Sequence, residues 1–205
     1  MGNTLSDPPR AARPGTLPDL TNTRIAFRQY TDRGLLRAYW LFRIIGVPWT
    51  NATGRALSQL AMRLHLPIKG LIKATIFKHF CGGETIDESL VTAQKLGDGG
   101  LGTILDYSVE GQEDDASLDH STDEILRTIA MAAKRSDIPF SVFKPSGIAP
   151  LAIWEAVSEG RTLSTAEAHE WTLVQGRMER ICAAAAQAGV PVLVDAEESW
   201  LQPAI

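Results

Sequence analysis

Two rhythms of apolar and polar residues divide the chain. From about residue 23 to 80 the apolar positions recur at helical spacing, with no strand-like alternation. In RGLLRAYWLFRIIG, Leu35, Leu36, Tyr39, Leu41 and Ile44 fall close to one stripe, and Gly46 and Pro48 are stop signals. GRALSQLAMRLHL repeats the theme, with Pro67 as its stop. Residues 23–80 therefore read as an N-terminal helical arm. The residues before it, 1–22, are rich in Pro, Gly, Thr and Ser and read as a flexible tail.

Beyond residue 80 the rhythm changes. Thr85 with Glu88, Ser121 with Glu124, and Ser164 with Glu167 stand at capping-box spacing, so each pair is expected to open a helix. The stripes that follow are Ile86, Leu90 and Ala93; then Ile125, Ile129 and Ala133; then Trp171, Val174, Met178, Ile181 and Ala185. Gly97 and Gly189 sit where helix C-terminal glycines belong. Between these helices lie three short apolar runs, LGTILD, IPFSVFK and VPVLVD. None alternates polar with apolar, so each strand is expected to be buried on both faces, as in a parallel sheet covered by helices. Strand and helix take turns, which predicts βαβ units and an α/β fold.

Each run ends in a charge: Asp106, Lys144 and Asp195. The C-terminal ends of parallel strands point to one side, where α/β active sites are built. Two carboxylates and one ammonium are thus expected to converge at one mouth. One charge at a strand end usually marks where the strand meets solvent; three in three point to a functional cluster. Lys144 has three readings: a point charge for an anionic substrate, a Schiff-base nucleophile, or a neutraliser of the carboxylates. With Asp106 and Asp195 expected nearby its charged form is favoured, which suits an ammonium that grips a carboxylate or phosphate. No glycine-rich phosphate cradle follows a strand: FKPSGIAP lacks the P-loop spacing, and FCGGET follows no strand.

Composition narrows the classes. A net charge of −4 leaves no basic footprint, so nucleic acid is not an expected partner. The two cysteines, Cys81 and Cys182, lack metal-ligand spacing and read as packing residues in a reduced compartment; the four histidines are scattered, so no metal site is expected. No apolar run approaches the roughly 18 residues of a membrane span.

FCGGET, ILDYSVEG, FSVFKPSGIAP and VLVDAEESWLQPAI, in that order and spacing, resemble proline dehydrogenase, in its monofunctional bacterial and mitochondrial-type branch. The resemblance runs from about residue 23 to the last residue. It implies an FAD-dependent (βα)8 barrel that oxidises L-proline to Δ1-pyrroline-5-carboxylate and passes electrons to a quinone. By the same resemblance Lys144 pairs with the proline carboxylate, Asp195 is the catalytic aspartate beside the flavin and the amine, and Ala196 lies against the flavin. Asp106 and Glu197 correspond to further mouth residues. The implied location is cytoplasmic or peripheral on the inner membrane, and mitochondrial in a eukaryote.

The resemblance places VLVDAEESWLQPAI at the third of eight strands. A (βα)8 barrel takes about 250 residues, and residues 81–205 supply half of that. The expected fold is therefore an incomplete TIM-like barrel of about three strands, and the expected organisation is a tail at 1–22, an arm at 23–80 and the first part of the barrel at 81–205. Such a chain is expected to be an inactive N-terminal portion of a longer enzyme, or one half of a split enzyme. Its open strand edges invite self-association. A Schiff-base lyase on a similar barrel, with Lys144 as nucleophile, is the competing enzyme class.

Overall fold

The carboxamide of Asn22 accepts from the Ile25 amide and opens helix α1 (Thr23–Ala26); the hydroxyl of Thr31 accepts from the Gly34 amide at 3.1 Å and opens α2 (Asp32–Ile45). The computed structural model describes residues 21–107, 109, 111–196 and 198–205, so the expected tail lies almost wholly outside the described residues. The chain divides into two units, Met1–His79 and Phe80–Ile205. In the first, α2 stops at Gly46 as its sequence predicts, and Pro48 starts the next helix, α3 (Pro48–Arg63), at a position where a missing N–H costs nothing. Helix α3 thus begins six residues before the run GRALSQLAMRLHL. Helix α4 (Lys69–Ile72), a π turn (Lys73–Phe77) and α5 (Lys78–Phe80) continue the chain. None of these helices buries a residue.

The second unit holds α6 (Ile86–Asp98), β1 (Ile104–Leu105), α7 (Asp115–Ala132), β2 (Phe140–Phe143), α8 (Leu151–Ser158), α9 (Thr165–Ala188) and β3 (Val192–Val194). The strands form one parallel sheet in chain order, β1-β2-β3, with Leu105 beside Ser141 and Ser141 beside Val192. A helix precedes each strand, as the apolar runs predict, with α8 as a second, unpredicted helix between β2 and β3.

Two of the three expected caps hold. Ser164 and Glu167 form a complete capping box on α9. The Thr85 hydroxyl accepts from the Glu88 amide at 3.2 Å, while Glu88 reaches the Glu84 amide instead of its own cap. Ser121 caps nothing. Helix α7 begins seven residues earlier, because the Asp114 carboxylate accepts from the Ser117 amide at 2.9 Å and Leu118 already faces the core. Gly189 ends α9 in the left-handed conformation, at φ 65°, whereas α6 runs through Gly97 and ends at Gly99. Gly97 serves packing, since a Cβ there would meet Asp137 at 3.2 Å.

The strand faces differ. Leu105, Ser141, Phe143 and Val192 point one way, into helices α6, α7, α8 and α9, where Ile125, Ile129, Trp154, Val174 and Ile181 close the core. Of the predicted stripes Ala93, Ile125, Ile129, Val174, Ile181 and Ala185 are buried and Ile86, Leu90, Trp171 and Met178 half-buried, while Ala132 takes the place of the exposed Ala133. On the opposite face Ile104, Phe140 and Leu193 remain 41%, 38% and 45% exposed. Burial on both faces is therefore not observed: helices cover one side, and a second apolar side lies open. Cys81 and Cys182 are likewise exposed and not packed, Cys182 lying one residue off the buried position of Ile181.

Candidate active site

The open face carries the charges. Alternation along β2 puts Phe140, Val142 and Lys144 on one side, and along β3 it puts Leu193 and Asp195 on the same side. The pairing of Phe143 with Val194 continues one residue further: the Asp195 amide donates to the Phe143 carbonyl at 3.0 Å. Lys144 and Asp195 therefore stand side by side at the strand tips. Lys144 Nζ lies 3.4 Å from Asp195 Oδ2, with the lysine side chain 12% and the aspartate 45% exposed. An ion pair that wet contributes about 0–1 kcal/mol to folding. Stability does not explain why two strands deliver opposite charges to one point.

The loop that carries Lys144 is fixed from below. Pro145 opens a 3₁₀ turn, Pro145–Gly147, and the buried Trp154 indole donates to the Pro145 carbonyl at 2.9 Å. A Cβ on Gly147 would come within 3.2 Å of the Val109 carbonyl, so glycine lets the loop after β1 approach the loop after β2. After Asp195 the chain turns back. Ala196 is half-buried and its carbonyl accepts from Gln202 Nε2 at 3.3 Å; Leu201 is fully buried and its carbonyl accepts from Ser158 on α8.

Of the other expected mouth residues, Asp106 follows β1 and is exposed; the register that sets Leu105 beside Ser141 carries it next to Val142, two residues short of Lys144. Glu197 lies outside the described residues. The structure thus brings Lys144 and Asp195 together and leaves Asp106 a step lower on the same face. Tyr107, the next residue, meets His120 of α7 edge to face at 6.3 Å.

A charge network absent from the expectations braces this end of the sheet. Arg177 on α9 is 3% exposed, and its guanidinium donates to Asp119 at 2.8 Å, to Asp115 at 2.7 Å and to the Ile148 carbonyl at 3.4 Å. Glu170 lies 3.6 Å from it. Burial alone lowers the arginine pKa, but the bonds to Asp119 and Asp115 outweigh it and hold the group above its ordinary value. One cation thereby ties the start of α7 and the loop after Lys144 to α9. The sequence carried a signal for it, since Arg177 falls within the stripe of Val174 and Ile181, where an apolar residue belongs.

The sequence is similar to known proteins over the stretch that holds these elements. A family model described as proline dehydrogenase matches residues 89–205, the stretch that holds all three strands and both tips. The chain is 32% identical over 180 residues to the carbapenem antibiotics biosynthesis protein CarD of Pectobacterium carotovorum subsp. carotovorum, covering 87% of this chain and 47% of that protein. It is 27% identical over 226 residues to proline dehydrogenase 1, mitochondrial, of Dictyostelium discoideum, covering 91% of this chain and 39% of that one. The corresponding protein of Arabidopsis thaliana is 28% identical over 176 residues, or 67% and 35%. The chain spans less than half the length of each of these relatives.

Proposed function

The chain belongs to the proline dehydrogenase family, and from that premise we propose that it supplies the substrate-gripping side of an FAD-dependent enzyme that oxidises L-proline to Δ1-pyrroline-5-carboxylate. A quinone is the proposed electron acceptor. The observation that carries the reading is the Lys144–Asp195 pair at register-matched strand tips. L-proline carries a carboxylate and a ring amine on one carbon, and an ammonium beside a carboxylate is the complementary arrangement. The same pair argues against the Schiff-base lyase, because the Lys144 side chain is engaged by an aspartate at 3.4 Å and not held open for a carbonyl.

Three features of the residues fit a flavin ring. Ala196 offers only a methyl group directly after Asp195; the open face below it is apolar at Phe140, Val142 and Leu193; and the helices leave that face uncovered. FAD, when bound, supplies the two-electron acceptor for the reaction. The chain's own residues do the rest. Lys144 holds the carboxylate and so fixes which ring carbon faces the mouth. Asp195 accepts a hydrogen bond from the ring amine and balances its charge. The apolar floor keeps water from the reacting carbon.

The three strands are proposed as an arc of a (βα)8 barrel. Their chain-order parallel pairing and the helices packed on the face of Leu105 and Phe143 support it, since a doubly wound sheet carries helices on both faces. An arc leaves the mouth unclosed, so this chain alone is proposed to be inactive, with catalysis requiring strands that complete the barrel. The location proposed is cytoplasmic in a bacterium and mitochondrial in a eukaryote; no helix among the described residues is long and apolar enough to cross a membrane.

The test is Lys144→Met in the completed enzyme, meaning this chain together with the strands that close the barrel. Methionine keeps the aliphatic stem and removes the ammonium. Losing a charge-assisted contact of roughly 1.5–3 kcal/mol should weaken L-proline and cyclic carboxylate inhibitors about ten- to a hundredfold. Flavin content should stay unchanged. Unaltered inhibitor affinity refutes the assignment, and loss of bound FAD moves Lys144 to the cofactor.

A further inference from the structure

Lys144 sits in a run of three occupied carbonyls. The Phe143 carbonyl accepts from the Asp195 amide at 3.0 Å and the Lys144 carbonyl from the Gly147 amide at 3.0 Å; the Pro145 carbonyl accepts from the Ile148 amide at 3.2 Å. The first bond extends the sheet, and the other two close the 3₁₀ turn. Pro145 has a further donor: the indole N–H of Trp154, on α8, reaches the same carbonyl at 2.9 Å. A carbonyl oxygen offers two lone pairs, so both bonds form together. The bonds inside the turn give it its shape, and the indole ties it to the core.

That indole cannot shift to suit the turn. Trp154 is 1% exposed, its ring meets Trp171 of α9 edge to face at 5.4 Å, and it belongs to the cluster of Ile153, Val174 and Ile181. The anchored carbonyl stands one residue beyond Lys144, and proline fixes the φ rotation between the two. A lysine needs such a base. Its four-carbon stem is flexible, so the reach of the ammonium depends on where its backbone is held. A misplacement of about 1 Å in a gripping group can cost roughly a hundredfold. Core packing alone would be met by phenylalanine, which brings no N–H to satisfy. We propose that Trp154 is a positioning residue for the substrate carboxylate, its N–H holding the Pro145 carbonyl and so fixing the backbone from which Lys144 reaches the ligand. The inference rests on the proposed role of Lys144 as the carboxylate grip.

The experiment is Trp154→Phe, alone and combined with Lys144→Met, in the completed enzyme. Phenylalanine keeps a ring against Trp171 and removes the donor. It should weaken L-proline and cyclic carboxylate inhibitors about three- to tenfold, the worth of one hydrogen bond. Binding of pyrrolidine, the same ring without the carboxylate, should not change, nor should flavin content. In the Lys144→Met background Trp154→Phe should cost nothing further, since the side chain it acts through is gone. Equal weakening of pyrrolidine, or the full loss recurring without the lysine, overturns the proposal and leaves Trp154 as core packing. Carboxylate ligands indifferent to Lys144→Met would overturn the grip, and the positioning with it, a failure told apart by that single substitution. The chain alone supplies a second readout. Deuterium exchange at the Gly147 and Ile148 amides should quicken in Trp154→Phe about three- to tenfold more than at Ile181 on α9, which reports any general loss of stability. Acceleration no greater than at Ile181 would show that the indole does not hold the turn.

Discussion

Trp49 and Trp154 each lie in the first turn of a helix with a proline at its start, yet Trp49 is 70% exposed and Trp154 is 1% exposed. Helical periodicity says which residues share a face; it does not say what will cover that face. In residues 80–205 a parallel sheet offers a flat apolar partner, and the stripes of α7, α8 and α9 close on it. In residues 23–79 no strand exists among the described residues, and equally apolar helices keep their stripes in solvent. The charge divides along the same line. The acidic unit pairs many of its cations internally, as in Arg177 with Asp115 and Asp119 or Arg180 with Asp123, while the arm has one acid to pair with.

The two tryptophans give the largest contrast. Trp154 meets Trp171 edge to face at 5.4 Å and donates to the Pro145 carbonyl under the Lys144 loop. Trp154→Ala should cost about 3–5 kcal/mol of unfolding free energy, through a cavity and the loss of a buried hydrogen bond. Trp49→Ala should stay within about 0.5 kcal/mol. Urea denaturation of both variants, followed by far-UV circular dichroism, makes the measurement. Similar losses would show that the arm is packed as tightly as the sheet and would end the comparison.

Arginines sharpen it next. Arg177→Met keeps most of the buried volume but removes three donated bonds. Asp115 and Asp119 are 55% and 56% exposed, so water takes them back, and only Glu170, 3.6 Å from Arg177 and with a buried Oε1, is left facing the gap. The expected cost is about 1–3 kcal/mol, below the full penalty for breaking a buried pair. Arg55→Met in the arm should change stability by less than about 0.5 kcal/mol. A loss at Arg177 no larger than at Arg55 would show that its network is incidental.

Much of this architecture was legible because local chemistry and tertiary packing agreed. The three apolar runs become three parallel strands, Ser164 and Glu167 make their box, and Gly189 takes its left-handed turn. The tips of β2 and β3 meet as their endings in Lys144 and Asp195 predict. The failures share one cause. Ser121 has a cap's spacing, but Asp114 caps earlier and Leu118 adds a turn of core contact, so Ser121 ends inside the helix. Gly97 looks like a terminus because glycine weakens helices, yet it lies inside α6, where Asp137 comes within 3.2 Å of the place a Cβ would take. Apolar runs predicted two buried faces, and only contact with α6–α9 shows which face is filled. Arg177 and the charge of the arm escaped because a residue was weighed by type or the chain by its total, not by position.

The smallest effect concerns Glu167 and is read against pH. Its carboxylate accepts from Arg161 at 2.6 Å and from the Ser164 amide at 2.8 Å, and these bonds, the arginine's first, lower its pKa to about 2. The ordinary value for the group is 4.5. A carboxyl whose pKa falls on folding stabilises the protein above its unfolded pKa, and that contribution fades as pH drops toward the folded one. Wild type should therefore exceed Glu167→Gln in Tm at pH 7, with the difference shrinking between about pH 4.5 and 2. Glutamine can still accept from Ser164, so what disappears is the charge facing Arg161. Asp137 is also held low, by Arg135, but it titrates in both proteins and cancels in the difference. The arm provides the control: α2 and α3 begin on Thr31 and Val47, neither of them a carboxylate, so Glu167→Gln should not alter the pH dependence of Trp49 fluorescence. A Tm difference that stays constant from pH 5 to pH 2 would show that the ionised carboxylate contributes nothing to the cap.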